Sequence, residues 1–401
     1  MREPSVTATV PSVRAVPQTG IQPTVPALFL GFLRLGLTAF GGPAMIAQIK
    51  DLAVRRRGWV DDPTFDDGVV LAQSLPGATA MQVAAYVGLR ARGTVGAVTT
   101  YVGLGLPAFV LMLGLSAWYA RAQAVPSVLA LMNGLQIVVV ALIAHAAWTF
   151  GRPALRSAGA IGIAAGSTAL YLLHVNPFAV ILASAGAGLA LFRAVPAPRS
   201  GSPDRLRPRW RRWAIFAAAL GAGLVMVRLV DPQLFQLSLL MLRVNLFAFG
   251  GGFSSLPLMV QEVVEGHHWM TARAFMDGIA LGQVTPGPIS ITATFIGYHL
   301  SGGLGAVVAT VAMFTPSLVV LFATAPHFDR IRSSTLYARA SKGVVAGFVG
   351  LLAVMAYRFA QGIAWSVAGG VLGVASLAAL LRKIDVLYIV LAAAALSLAF
   401  T

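Results

Sequence analysis

The chain has 401 residues, 58% of them hydrophobic and 10% charged, with a mean hydropathy of +0.81. Soluble domains carry about 25% charged residues, so this composition excludes a water-clad globular protein and points to a polytopic membrane protein. The formal net charge of +16 lies mostly in short loops between apolar runs, where basic residues set topology and meet lipid headgroups rather than nucleic acid. The absence of cysteine excludes disulfides, thiolate metal sites and cysteine nucleophiles.

Residues 1–26 are polar and proline-bearing and lack the hydrophobic core of a signal peptide, so they read as a disordered cytoplasmic tail. The long continuous apolar runs beyond them favour helices over a barrel, each span needing about 20 residues. Thirteen transmembrane helices are expected, near 27–49, 67–89, 95–118, 127–150, 157–174, 177–194, 213–230, 234–260, 275–299, 303–325, 342–361, 363–381 and 385–400. A linker at 195–212, with Pro196, Pro198, Pro203, Pro208 and six arginines, divides a first repeat (27–194) from a connecting helix (213–230) and a second repeat (231–401).

The repeat is visible residue by residue. Arg34, Phe40, Gly41 and Gly42 recur 209 positions later as Arg243, Phe249, Gly250 and Gly251. At an offset of 210, Trp59, Phe65, Asp67, Gly68, Leu71, Gln73, Pro76, Gly77 and Gly93 map onto Trp269, Phe275, Asp277, Gly278, Leu281, Gln283, Pro286, Gly287 and Gly303. Seven crossings between the two starts invert the second copy, a common transporter design. With the N-terminus cytoplasmic and the C-terminus outside, cytoplasmic segments collect 20 lysines and arginines and outside segments 7. Making only the two Gln-x-x-Pro-Gly segments re-entrant leaves eleven spans, parallel halves and a 17-to-10 division, so positive-inside bias favours thirteen. One outer loop breaks the rule: Lys50, Arg55, Arg56 and Arg57, either a topology error or an anion-attracting feature.

An arginine inside an apolar run is costly. Arg34 and Arg243 read either as snorkelling structural residues or as two forked donors approaching one anion from opposite leaflets. Gly41-Gly42-Pro43 and Gly250-Gly251-Gly252 either break helices in mid-membrane or let helices pack closely. Thr285-Pro286-Gly287-Pro288 reads as an N-cap followed by proline at the first helical position, aiming free N–H groups at an anion. In the first copy Leu75 replaces the capping threonine ahead of Pro76-Gly77; a simple proline kink is the plainer reading of both. Gln73 and Gln283 are candidates to donate to a ligand or bridge helices. Asp67 and Asp277, matched acids at the mouth of the second span, suit salt bridging or helix capping, with gating or proton coupling as the functional alternative. His267-His268 point apart on a helix and do not suit a metal. No phosphate-cradling loop, nucleophile elbow or zinc spacing is present, so neither an enzyme nor a cofactor is expected.

Through these paired motifs the chain resembles the chromate ion transporter (CHR) family in its long, two-domain form. The carriers are Phe40-Gly41-Gly42-Pro43, Phe249-Gly250-Gly251-Gly252, Gln73-Ser74-Leu75-Pro76-Gly77 and Gln283-Val284-Thr285-Pro286-Gly287-Pro288, and the resemblance covers most of 27–400. It implies a bacterial inner-membrane protein that expels chromate and confers chromate resistance, with sulfate as a competing dianion. Leu75 and Ala78 depart from Thr285 and Pro288, so the two halves need not contact substrate equally. Substrate is expected nearer Arg243 and Thr285, with the exit past Arg55 to Arg57. Transport of sulfate or another small anion, or a non-transporting membrane scaffold, is the alternative, and an oligomer is left open.

Overall fold

A computed structural model describes residues 22–39, 42–193, 210–327 and 333–399. The expectations for the N-terminal tail, for Phe40 and Gly41, and for most of the basic linker fall outside these residues.

Among the described residues the chain is helical, without strands. The first copy holds α1 (Val25–Thr38), α2 (Gly42–Lys50, continued by a π-helical turn Asp51–Arg56), α3 (Asp62–Ser74), α4 (Thr79–Ala122), α5 (Pro126–Ala154), α6 (Ala158–Leu172) and α7 (Pro177–Leu191). After α8 (Trp210–Val230) the series recurs as α9 (Pro232–Phe247), α10 (Ser255–Val260, continued by a π-helical turn Gln261–Gly266), α11 (Ala272–Val284), α12 (Thr292–Thr324), α13 (Thr335–Gln361), α14 (Val367–Leu381) and α15 (Val386–Ala399). Local chemistry starts these helices where they start. Thr24, Asp61, Asp231 and Thr271 cap α1, α3, α9 and α11 by accepting from backbone N–H groups two or three residues on. Asp67 and Asp277 therefore lie inside their helices, and the capping role expected of them belongs to Asp61 and Thr271.

The apolar stretches expected as the first two spans of each copy are not straight. A helix advances about 1.5 Å per residue, so Gly68 and Tyr86 on one continuous span would stand about 27 Å apart. Instead a Cβ on Gly68 would collide with the Tyr86 ring, and one on Gly278 with the Phe295 ring. α3 folds back on the start of α4, and α11 on the start of α12. The same holds for α1 and α2, since Gly31 lies against Leu52 and Trp59, and for α9 and α10, since Arg243 reaches Glu262. Each copy thus begins with two helical hairpins, with tips at the Pro-Gly motifs and, in the second copy, at Gly250-Gly251, because glycine and proline at those points deny the helix its next turn.

α4 and α12 each turn once more. Arg92-Gly93 and Ser301-Gly302 share one non-helical geometry, with Gly93 at φ +67 and Gly302 at φ +59. Thr100 Oγ1 donates to the Ala84 carbonyl at 2.8 Å, and Thr294 meets Thr310 at 2.7 Å, contacts impossible along a straight helix. Gly88 and Gly96, like Gly297 and Gly305, let the two arms touch backbone to backbone. The turn glycine of the second copy is Gly302, so the pairing of Gly93 with Gly303 is out by one residue.

The copies are interlocked rather than side by side. α13 packs on α6 and α7, while α5 packs on α14 and α15; α5 meets α13 and α4 meets α12 directly. Among the described residues, four helical stretches are long and apolar enough to cross a membrane, those holding α4, α5, α12 and α13. Val98, Val102, Leu106 and Val110 of α4 and Leu304, Val307 and Val311 of α12 face outward, while Gln82, Thr100, Asn245, Asp277 and Ser317 are buried. An apolar exterior that encloses the polar side chains within the bundle is what lipid demands of a polytopic membrane protein.

Candidate functional site

The hairpin tips of one copy bond to those of the other. Gly77 N–H donates to the Ala248 carbonyl at 2.7 Å, and Gly287 N–H donates to the Ala39 carbonyl at 3.1 Å. Ala39 and Ala248, like Gly77 and Gly287, are equivalent positions, so the contact is reciprocal: each Pro-Gly tip donates to the C-cap carbonyl of the helix that leads into the other copy's glycine motif. Gly77 and Gly287 hold φ values of +111 and +126, which L-residues with a Cβ rarely adopt. A side chain would also find no room, since a Cβ on Gly77 would collide with Ser317 and one on Gly287 would stand 2.7 Å from Ala108 Cβ. Gly250 and Gly251, at φ +88 and +108, break the helix as expected, and Gly252 closes on Ile289 of its neighbouring hairpin.

Buried polar groups surround this crossing. Asn245 Oδ1 accepts from Ser317 Oγ at 2.8 Å, Ser317 Oγ accepts from Ala78 N–H at 3.3 Å, and Gln82 Nε2 donates to the Pro76 carbonyl at 2.8 Å. Tyr101 donates to the Phe314 carbonyl at 2.7 Å. Asn245 Nδ2, Gln82 Oε1 and Ser290 Oγ are buried without a hydrogen-bond partner, a costly condition that native folds keep for a reason. The first residues of α2, α4 and α12 lie at these tips, so the positive ends of their dipoles gather at the crossing.

Sequence reasoning singled out Gln73 and Gln283, but Gln73 is exposed and Gln283 half-buried, and neither side chain bridges helices. Gln82, Asn245 and Ser317 do that work; being single amides and a hydroxyl in apolar runs, only their burial marks them out. Thr285 also acts differently from expectation. It ends α11, its hydroxyl donating to the Gly282 carbonyl at 2.9 Å, and the next helical turn begins only at Ile289. Leu75 ends α3 in the same extended geometry, so the two Pro-Gly breaks are closely alike and neither is side-chain capped.

The two arginines stand in unlike surroundings. Arg34 is exposed on α1, and no side-chain partner holds it among the described residues. Arg243 is about half exposed, with its guanidinium 3.9 Å from the centre of the Phe178 ring and Nη1 3.4 Å from Glu262 Oε1. In the same π-helical turn, Glu265 pairs with Arg358 at 2.6 Å.

The acids differ as well. Asp277 is 5% exposed and accepts from Tyr119 at 2.7 Å and Gln136 at 2.8 Å, both from the first copy. It forms part of the wall of a cavity of about 720 Å³, with Arg273, His268 and His299 also lining it. Asp67 is half-buried. The structure does not bring either acid to the crossing.

Two of the four cations of the basic loop are paired with aspartates. Lys50 binds Asp62 and Asp66, each at 2.9 Å, and Arg56 binds Asp51 at 2.6 Å. Donation to Asp66 and then Asp62 raises the Lys50 pKa above its ordinary value. Across residues 50–67, Asp51, Asp61, Asp62, Asp66 and Asp67 outnumber Lys50, Arg55, Arg56 and Arg57 by one, three of these acids lying on α3.

Residues 26–189 and 235–398 each match the family model for chromate transporters. The two segments begin 209 positions apart and end 209 positions apart, the offset of the repeat. The chain is 31% identical over 395 residues to a chromate transport protein of Pseudomonas aeruginosa, covering 92% of this chain and 90% of that one. It is 30% identical over 332 residues to a chromate transport protein of Cupriavidus metallidurans, covering 82% and 81%. An uncharacterized transporter of Methanocaldococcus jannaschii is 39% identical over 372 residues, 92% of each chain. No solved structure matches. A duplicated helical unit with reciprocal tips, matched in both copies to one family, gives the identification: this chain belongs to the chromate transporter family.

Proposed function

We propose that the protein carries chromate out of the cell across the bacterial inner membrane by alternating access, and so confers chromate resistance. The oxyanion is held where the four hairpin tips cross, within reach of Arg34 and Arg243 and of the dipole ends of α2, α4 and α12. The observation that carries this reading is the reciprocal pair of tip bonds, Gly77 to Ala248 and Gly287 to Ala39. It joins the two halves at the motifs that define the repeat, where two backbones that break can expose N–H groups to an anion.

The hairpins also revise the topology we propose. Each returns to the side it left, so the crossings are the second arms of α4 and α12 together with α5–α8 and α13–α15, nine in all. Arg92 donating to the Pro23 carbonyl at 2.8 Å supports placing the α4 turn on the side of the N-terminus. α8 then inverts the second copy. Cytoplasmic segments carry 23 of the 29 lysines and arginines and outside segments 4, with Arg34 and Arg243 inside hairpins, a sharper bias than thirteen spans give. The loop at Lys50 to Arg57 becomes cytoplasmic and ceases to be an exception. The chain has no cysteine, so Arg57→Cys and His267→Cys proteins can be labelled with an impermeant maleimide. Nine crossings predict labelling of Arg57→Cys from the inside and His267→Cys from the outside, and thirteen spans predict the reverse.

An inside-negative potential favours exit of a dianion by about 4.6 kcal/mol per 100 mV, so the membrane potential supplies at least part of the driving force. Uptake of labelled chromate into everted vesicles tests the function: Arg34→Ala and Arg243→Ala should each lower it about tenfold or more at unchanged protein level, and wild-type rates in both would remove the arginines from the site. Sulfate shares the charge and shape of chromate. Sulfate that drives exchange as fast as chromate would make the protein a general transporter of tetrahedral dianions.

A further inference from the structure

We infer that Glu262 is a tethered counter-anion, occupying Arg243 in the resting protein and displaced by the entering substrate. This rests on the proposal that Arg243 contacts the oxyanion. Three observations lead to it.

First, Glu262 already provides what a substrate oxygen would. Its Oε1 lies 3.4 Å from Arg243 Nη1, while Phe178 covers one face of the guanidinium at 3.9 Å from the ring centre. The Glu262 side chain is 14% exposed, and that of Arg243 is 51% exposed. The carboxylate is thus held in, while part of the guanidinium stays open to an arriving anion. At 3.4 Å the contact is longer than a strong charge-assisted hydrogen bond, which suits a partner that must leave.

Second, the pair exists in one copy only. The π-helical turns Asp51–Arg56 and Gln261–Gly266 are equivalent at an offset of 210, which places Leu52 at the position of Glu262. Leu52 packs near Gly31 on α1, one turn before Arg34. The position that gives Arg243 a carboxylate therefore holds an aliphatic side chain in the first copy, packed toward α1. Packing needs do not explain the difference, because the two turns share their π-helical geometry.

Third, the neighbouring acid of the same turn is differently placed. Glu265 is locked to Arg358 at 2.6 Å, and Arg358 is held further by the Tyr171 carbonyl at 2.6 Å. Glu265 anchors the turn and Glu262 is left as its exchangeable charge. A carboxylate fixed to the protein competes with free anion at a constant effective concentration, so it weakens apparent affinity and neutralises Arg243 while the site is empty. It also favours release, since Glu262 is present to retake the arginine.

The experiment is chromate uptake into everted vesicles over a range of chromate concentrations, with KM and Vmax separated. Glu262→Gln keeps the shape and removes the competing charge. It should lower KM about fivefold without raising Vmax, whereas most lesions in a transporter raise KM. Glu262→Asp should bring KM back toward wild type. Arg243→Gln should raise KM about tenfold, and Arg243→Gln with Glu262→Gln should do no more than Arg243→Gln alone. Leu52→Glu, which gives the first copy the missing carboxylate, should raise KM about fivefold and covers the case in which Glu262 variants fail to insert. A Glu262→Gln protein with unchanged or raised KM would overturn the inference while leaving Arg243 in the site. An Arg243→Gln protein with wild-type KM would instead overturn the site on which the inference rests.

Discussion

Gly77 and Gly287 lie at φ +111 and +126, each donating to an alanine carbonyl of the other copy, and Arg92-Gly93 and Ser301-Gly302 turn with nearly the same angles. Arg34 and Arg243, two turns or less from those tips, have no surroundings in common. One is exposed; the other is stacked on Phe178 and paired with Glu262. The duplication has thus kept its backbone and let its charges diverge. Backbone geometry at a tip is fixed twice over, by positive φ and by the partner copy's carbonyl, so a change at one tip strands a bond at the other. A side chain one turn away has no such reciprocal hold and is free to specialise.

The largest expected effect tests the conserved half of this comparison. Gly77→Ala and Gly287→Ala each force a Cβ into left-handed backbone, costing about 1–2 kcal/mol, and overpack the tip by about 1–3 kcal/mol more. Both proteins should lose heat resistance in detergent, read as the fraction eluting as a monodisperse peak after heating, and both should lose chromate uptake. Since Gly77 meets Ser317 and Gly287 meets Ala108, Ser317→Gly should restore part of the first loss and Ala108→Gly part of the second. A Gly77→Ala protein as heat-resistant as wild type would break the claim that the tips are held by reciprocal contact.

The second effect tests the divergent half through the acids. Asp277→Asn takes the charge from an acceptor that serves both Tyr119 and Gln136, and hydrogen bonds to a charged group contribute about 1.5–3 kcal/mol. Asp67→Asn, at a half-buried position, should cost less than half as much in the same heating assay. Equal losses would mean that the two acids perform one shared task, and the contrast drawn here would fail.

Much of this architecture was legible in the sequence because the repeat writes rare residue types twice. Glycine and proline at matched positions announced the breaks, and positive-φ glycines at 77, 93, 250, 251 and 287 are what those residues were placed to allow. Direction was not legible. A break that kinks a helix and a break that folds it back use the same residues, so 27–49 and 67–89 read as spans although each folds into a hairpin. Gly68 facing Tyr86 settles that only in three dimensions. Thr285 misled for a related reason: a threonine before proline suits an N-cap, but its hydroxyl turned back to Gly282 once the following extended residues were committed to the tip. Gln82 and Asn245 carried no signal at all, since a lone amide in an apolar run looks the same whether it faces lipid, a neighbour or a site.

The smallest effect concerns the basic loop, where aspartates stand beside the cations. Lys50→Ala removes one ammonium from two carboxylates, Asp62 and Asp66, whereas Arg57 has no ion pair among the described residues. An exposed or half-exposed pair contributes about 0–1 kcal/mol, so Lys50→Ala should lower heat resistance slightly and Arg57→Ala should not change it measurably. The loss should shrink in 1 M salt, where the screening length falls to about 3 Å. Because the Lys50 pKa is raised on folding, its contribution is fully present below the unfolded value and disappears only as pH rises through the folded one. The difference between Lys50→Ala and wild type should therefore hold constant from pH 7 to pH 9. Chromate KM should stay within about twofold of wild type in an Arg55→Gln, Arg57→Gln protein, because the aspartates of the loop and of the start of α3 offset its cations. A KM that rises severalfold and recovers with Lys at both positions would show the loop steering substrate after all, and would make the first copy's entrance, rather than its tip, the place where the two halves differ most.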